Sequence, residues 1–386
     1  MAVNAVAVGF EQHADSVFSG SYKVEDCQFL LKPLDLAPIP IAEKERQIQS
    51  GQRHYSEMLS PEGPPSPHYL RLFRDLTKTY AERIGLDILS LAAHIADTRE
   101  GPLTIVSLAR AGTPIGALLT RALRARHDAC ARHYSVSIIR DRGIDENALR
   151  HILRVDGRPA AGLVFVDGWT AKGVITRELK AAVKQWNVEN PEQLDGRLYV
   201  LCDIGGTADV AASFEDYAIP SGILNATVSG LVSRSILNAE VGPEDFHGCV
   251  LYQDYAALDQ SNWFLDQVST TFAGFRAGAI TTAGRKQRSI QTAQWLESCL
   301  HRHGLTDINL IKPGVAEATR VLLRRVPACL IVRDARAADL RHLLALAYKR
   351  GVSLEIDADL PFQAAALIRS LRGRATSTPT VICNEP

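Results

Sequence analysis

Gly162-Leu-Val-Phe-Val-Asp-Gly-Trp-Thr-Ala-Lys-Gly-Val-Ile-Thr176 decides how the rest of the chain is read. Four apolar residues in a row predict a strand at Leu163–Val166. Asp167 ends it, a short loop with Gly168 and Gly173 follows, and a helix begins at Gly173 and runs to Trp186. Outward from this unit the same alternation continues. A strand is predicted at Leu103–Leu108, a helix at Pro114–Arg126, and strands at Tyr134–Ile139 and Leu198–Cys202. Short, continuously apolar strands separated by helices predict a parallel sheet covered on both faces, whose ligands meet the loops beyond the strands' carboxyl ends.

At about 150 residues per domain, 386 residues predict two to three domains. Residues 1–70, punctuated by Pro33, Pro38, Pro40 and the run Ser60–Pro67, read as an irregular arm. The apolar series Leu70, Phe73, Leu76, Tyr80, Ile84, Ile88, Leu91, Ile95 predicts one or two helices over 68–98. Residues 71–284 form the predicted core, although 219–283 show no clear pattern. Past the polar stretch Thr281–Arg288 a second alternation starts. Helices are predicted over 289–303, 315–325, 337–350 and near 361–371, and strands over 308–311, 328–332 and 353–356. Residues 285–386 thus read as a separate α/β sandwich that closes its own core.

Lys plus Arg and Asp plus Glu are both 43, so the whole chain has no net field toward nucleic acid or membrane. From Arg285 on, however, 16 basic side chains face 9 acidic ones, leaving 27 against 34 for residues 1–284. The tail and the body therefore meet different partners. Seven scattered cysteines, without a C-x-x-C pair, suit a reducing cytoplasm and encode no local metal site. The first residues lack a secretion pattern, and no run of about 18 apolar residues suggests a membrane span.

The loop after Asp167 presents amides and a helix's positive end to an anion, with Thr170 and Lys172 adding a hydroxyl and an ammonium. It is not a G-x-x-x-x-G-K-[ST] loop, because Val174 stands at the lysine position, and no G-x-G-x-x-G follows a strand in the body. A second strand–helix loop, Ser107–Gly116, offers Arg110 as a bidentate fork and Gly112 for close backbone approach. Arg140 and Arg142, in Ile139–Asp145, read as a mobile lid or as a solvated charge cluster. Two anion loops on one sheet suggest a substrate with phosphates at two ends.

These two loops resemble the phosphoribosyl pyrophosphate and pyrophosphate loops of type I phosphoribosyltransferases, over roughly residues 100–205. More specifically, His54–Glu62, Asp167–Gly173, Pro220–Arg234 and Phe246–Gly248 resemble the phosphoribosyltransferase-like family of tellurite-resistance gene clusters, also labelled cysteine protease StiP. The resemblance implies a type I phosphoribosyltransferase-like sheet with helices on both faces. It implies Asp167 on the ribose hydroxyls and Gly168, Trp169, Thr170, Ala171, Lys172 and Gly173 around the 5-phosphate. Arg110, Ala111, Gly112 and Thr113 would hold the pyrophosphate with Mg²⁺. Common members carry a second acid where this chain has Gly168, and Asp203, after a strand, is the candidate to replace it.

The tail motif Lys312–Arg320, with Ala328–Asp334 and Gly351-Val352, resembles the Pelota and L7Ae type of RNA-binding domain. That likeness implies an α/β/α sandwich with Lys312, Gly314, Glu317 and Arg320 facing RNA. The expected function is transfer or removal of a ribosyl phosphate, coupled to RNA binding. Two alternatives remain: a cysteine peptidase, for which His247 and Cys249 are the near pair, and a non-catalytic nucleotide-sensing RNA binder.

Overall fold

The structure is a computed structural model that describes residues 17–127 and 130–370. Its large sheet is built from β1 (Gln28–Leu30), β2 (Thr104–Ala109), β3 (Arg132–Ile139), β4 (Leu163–Thr170), β5 (Leu198–Asp203) and β6 (Val210–Ser213), in the order β1-β3-β2-β4-β5-β6. Every one of these pairings is parallel, and Gly143–Ile144 adds a short antiparallel edge to β3. Both faces are covered, so side chains that alternate along a strand enter different cores. Val164, Val166, Tyr199 and Leu201 join one apolar cluster, while Leu163, Phe165, Leu198 and Val200 join the other.

The helices of this part are α1 (Ile41–Ser50), α2 (Pro67–Thr98), α3 (Thr113–Arg126), α4 (Val174–Glu189) and α5 (Ser261–Ser269). The predicted helical stretch over 68–98 is one 32-residue helix. Ser66 Oγ accepts from Tyr69 N at 3.3 Å and Pro67 supplies a preset φ at the first position. Leu118 and Leu119 of α3 pack with Ile88 and Ile95 of α2 on the first face, and Leu179, Val183 and Trp186 of α4 cover the second. The arm is more ordered than its prolines imply. Phe29, Leu30 and Leu31 are buried, β1 extends the sheet, and α1 forms within it. Residues 1–16 of the expected arm lie outside the described residues.

The remaining residues build a second sheet of β7 (Ile311–Pro313), β8 (Pro327–Val332), β9 (Ser353–Ile356) and β10 (Ala364–Ile368), in the order β7-β10-β8-β9. Its helices are α6 (Arg285–Arg302), α7 (Val315–Arg324) and α8 (Arg341–Lys349). Trp295, Leu296 and Cys299 of α6 pack on one face, and Val315, Ala318 and Leu322 of α7 with Leu343 of α8 on the other, which makes the expected sandwich. Two elements are corrected: the strand predicted over 308–311 is a 3-10 turn over Ile308–Leu310, with β7 beginning only at Ile311. The helix predicted near 361–371 is the strand β10, antiparallel to both β7 and β8. All five of its residues are buried, so pairing on two sides overrides the helical preference of Ala-Ala-Ala-Leu.

The core does not stop at the second sheet. Ile311, Ile331, Phe362 and Leu367 share one apolar cluster with Ile204, Val210 and Tyr217 of the body. Ala218 of the body lies in turn within the cluster under α7 and α8. The expectation that residues 285–386 close a core without help is therefore corrected: the two sheets are packed into one another.

Candidate functional site

A cavity of about 480 Å³ lies at the carboxyl ends of β2 and β4, where the body faces β7 and α7. Its walls include Tyr55, Ala111, Arg140, Asp167, the run Trp169–Ile175, Lys312, Glu317, Arg320 and Arg325. That volume is in the range of small-molecule sites.

The strand β4 runs four residues further than the sequence suggests, pairing Asp167 with Val200 and Thr170 with Asp203. The loop is thereby reduced to Ala171-Lys172-Gly173. Gly173 has φ 64°, and a Cβ there would lie 2.8 Å from Thr207 Cβ, so only glycine turns the chain into α4. No side chain caps the start of α4, and Gly173, Val174 and Ile175 at that start line the cavity. Gly168 accounts for the missing second acid. A Cβ at that position would meet Ala111 O at 2.9 Å, because the two loops touch there. Asp167 Oδ1 accepts from Gly168 N at 2.7 Å. Burial pushes the Asp167 carboxyl up to about 7, against this amide and Arg320, which favour the charge.

Several residues expected in the site do other work. Arg110 turns away from the cavity: Nη1 donates to Val232 O at 2.6 Å and Nη2 to Glu62 Oε1 at 2.5 Å. The pair is nearly closed off, with side chains 5% and 4% exposed, so the expected pyrophosphate fork is occupied by a counter-charge from the arm. Ala111 reaches the cavity, whereas Gly112 packs under Val166 O and Thr113 Oγ1 bonds Ser135 Oγ at 2.7 Å beneath it. Asp203 does not supply the missing acid. Its oxygens accept from Thr207 N and Ala208 N at 2.9 and 2.8 Å and lock their own turn.

Arg140 does line the cavity, with its guanidinium 5.2 Å from the Tyr55 ring centre. Arg142 leaves it for an ion pair with Glu57 at 2.6 Å. The segment between them is tethered rather than a free lid, since Glu178 accepts from Asp141 N and Gly143 N.

Lys172 is also corrected. Its Nζ donates to the carbonyls of Ile308 and Ile311, both at 2.8 Å, and so joins the body to the second domain. Burial, helped by Lys312, lowers this amine to about 6. With Nζ engaged by both carbonyls, it is a latch between the domains rather than a phosphate ligand. Lys172→Ala is expected to lower stability by about 1–3 kcal/mol, because two carbonyls lose their donor, while phosphate affinity holds. The pH dependence gives the sign. Unfolded chain binds this proton up to about 10.5 and folded chain only to about 6, so wild-type stability gains with rising pH between those values. Thermal melts across pH should show that slope reduced in the variant.

Of the tail residues expected to face RNA, Lys312, Glu317 and Arg320 form the cavity's roof. Glu317 Oε1 accepts from Trp169 Nε1 at 3.3 Å and from Arg320 Nη1 at 2.8 Å, and the Arg320 guanidinium lies 4.6 Å from the Trp169 ring centre. Burial alone would raise the Glu317 carboxyl, but Arg320 and Lys312 outweigh it and hold it down to about 2. Lys312 is lowered to about 8 by burial. Gly314 N donates to Ala364 O at 2.7 Å and starts α7. The binding surface expected for the tail is thus turned inward, onto the Asp167 loop.

The pair Cys249 and His247 is no nucleophile and base. Cys249 is fully buried, which drives its thiol far above the ordinary value, and His247 Nδ1 bonds Ser137 Oγ at 2.7 Å. Burial likewise raises Cys27, Cys202, Cys299 and Cys329. Cys383 lies outside the described residues. Among the described residues no helix is long and apolar enough to cross a membrane.

An open parallel sheet covered by helices on both faces, with an acidic strand end, a short glycine loop and a helix beside a ligand-sized cavity, defines an α/β protein, here joined to a second α/β/α domain. The family model described as "Tellurite-like stress resistance cysteine protease StiP" matches residues 20–269, and that of the "PELOTA RNA binding domain" matches residues 290–370. A relative named "Cysteine protease StiP" from Acinetobacter baylyi (strain ATCC 33305 / BD413 / ADP1) is 39% identical over 372 residues, covering 92% of this chain and 95% of that protein. The chain belongs to the StiP family. Among solved structures, the hypoxanthine phosphoribosyltransferase of Trypanosoma cruzi matches 34% of this chain and 77% of its own, at 19% identity and TM-score 0.27. The same enzyme in complex with the product IMP matches 34% and 72%, at 17% identity and TM-score 0.25.

Proposed function

We propose that the cavity binds phosphoribosyl pyrophosphate and that the protein transfers its ribosyl phosphate to an acceptor or to water. The observation that carries this reading is Asp167 beside the uncapped start of α4, inside a cavity edged by Arg140, Lys312, Arg320 and Arg325. Asp167 would hold the ribose hydroxyls. The amides after Thr170, with its hydroxyl, would take the 5-phosphate. Arg140, rather than Arg110, would face the pyrophosphate. The bond from C1 to the pyrophosphate oxygen breaks with its electron pair leaving on oxygen, and a lone pair of the acceptor forms the new bond at C1. Cations fixed around the leaving group, together with correct positioning, would supply most of the catalysis. No group of three or more His, Cys, Asp or Glu side chains among the described residues could hold a metal ion. Mg²⁺ would enter with the substrate, on its pyrophosphate. The second domain's family description supports RNA as a partner. The family description also names a cysteine protease, a reading to which Cys249 brings a buried thiol and no imidazole.

Calorimetry of the full chain with phosphoribosyl pyrophosphate and Mg²⁺ tests the proposal. Wild type should bind, and Asp167→Asn should bind about tenfold more weakly, or about 1.4 kcal/mol. Because Asp167 carries its proton to about pH 7, wild-type affinity should rise from pH 6 to 8 more steeply than that of the variant. The substrate's own phosphates titrate equally in both. No heat with wild type overturns the reading.

A further inference from the structure

Beside the cavity, α1, the Ser233-Arg234 segment and α7 bring together more cations than their carboxylates balance. Glu45 pairs with Arg325 through both oxygens. Glu62 is shared, with Arg110 at 2.5 Å and Arg324 only at 3.8 Å. Glu317 is taken by Arg320. Lys44 and Arg234 are left without an acid. Lys44 is 9% exposed, and its ammonium makes no hydrogen bond or ion pair among the described residues. Arg234 donates to the carbonyls of Tyr55 and Met58, and its buried Nε has no partner. Burial first, and then repulsion from neighbouring guanidiniums, lowers Lys44 to about 6 and Arg324 to about 9.

Buried charges in folded proteins are as a rule paired, and leaving a cation without its counter-charge is strongly unfavourable. Here the uncompensated groups come from three separate segments, and Arg320 and Arg325 carry the cluster to the cavity wall. A multiply charged anion would satisfy them together, and guanidinium forks suit phosphate. Lys44, Arg234 and Arg324 lie outside the lining beside the Asp167 loop, so they would not serve the 5-phosphate of the ribose donor.

We propose that the cations at the seam of α1 and α7 bind the phosphate of a second substrate, so that the acceptor is itself a phosphorylated nucleoside of nucleotide size. The word acceptor rests on the ribosyl-transfer reading above. The phosphate site itself does not.

Calorimetry on the full chain with AMP, CMP, GMP and UMP, each against its nucleoside, separates these claims. At least one monophosphate should bind about tenfold or more tightly than its nucleoside. Lys44→Gln should abolish most of that difference while leaving phosphoribosyl pyrophosphate affinity within about twofold. Arg324→Gln should do the same, and Lys44→Gln keeps the test sound if loss of Arg324 disturbs Glu62. Equal binding of nucleotide and nucleoside, no binding of any of the four, or an unchanged preference in Lys44→Gln overturns the proposal. So does a 5′-phosphorylated RNA oligonucleotide that binds where no mononucleotide does. If the monophosphate behaves as stated but phosphoribosyl pyrophosphate gives no heat, the transfer reading fails and the phosphate site stands.

Discussion

Replacing Glu62 by alanine is expected to lower the free energy of unfolding by about 3–5 kcal/mol, the usual effect of removing one member of a buried ion pair. The carboxylate accepts from Arg110 and from Ala226 N and is the nearest acid to Arg324. Without it, the buried Arg110 guanidinium loses its counter-charge and Arg324 loses its ion-pair partner among the described residues. The loss should depend on pH in a defined direction. Burial raises the Glu62 carboxyl, but Arg110 and Arg324 outweigh that and hold it below its ordinary 4.5. The stabilisation is therefore complete above pH 4.5 and disappears as pH falls through the lower folded value. Denaturant unfolding at pH 7 should show the full gap between wild type and Glu62→Ala, and unfolding near pH 3.5 a smaller one. A variant as stable as wild type at pH 7 would mean that Arg110 finds another partner.

Glu62 also marks the limit of local reading. The strand at Leu163–Val166, the turn at Asp167 and the helix behind it are legible because hydrophobic runs, glycine and helix periodicity are properties of neighbours in sequence. The choice of Arg110's partner is not, since Glu62 stands 48 residues away in a segment that looks irregular. Lys172 teaches the same lesson. Its position in the loop suggests a phosphate ligand, yet two carbonyls 136 and 139 residues further along the chain take all the attention of its amine. Asp203 follows a strand as a site acid should, but its own turn supplies the nearest donors.

The tail shows how an element can be legible and its surroundings not. The helix predicted over 315–325 is present as α7, with the expected Lys312–Arg320 segment at its start. What it faces is decided by how the two sheets pack, and that packing turns Glu317 and Arg320 onto Trp169. Ala364–Ile368 carries no period-two pattern because both of its faces are buried, so only its two neighbouring strands identify it as a strand.

Asp216 holds that packing in place, and Asp216→Ala is expected to cost about 3–5 kcal/mol, as three backbone donors lose a shared acceptor. Oδ1 accepts from Val315 N at 2.9 Å, at the start of α7. Oδ2 accepts from Gln363 N at 2.9 Å and Ala364 N at 3.4 Å, at the start of β10. One carboxylate of the body thus meets the positive end of a helix and the edge of a strand in the second domain. Burial, stronger than these three donors, pushes it up to about 6 from 3.8. The folded protein therefore keeps this proton longer than the unfolded chain does, and the group's contribution falls as pH rises from about 4 to about 6. The gap between wild type and Asp216→Ala should accordingly be wider near pH 4 than at pH 7. Because the apolar core is continuous between the sheets, wild type should melt in one calorimetric transition. The variant should melt in two, with the second domain released first and phosphoribosyl pyrophosphate affinity lost along with the roof of the cavity. A single unshifted transition in Asp216→Ala would show that the apolar contacts hold the domains together without it.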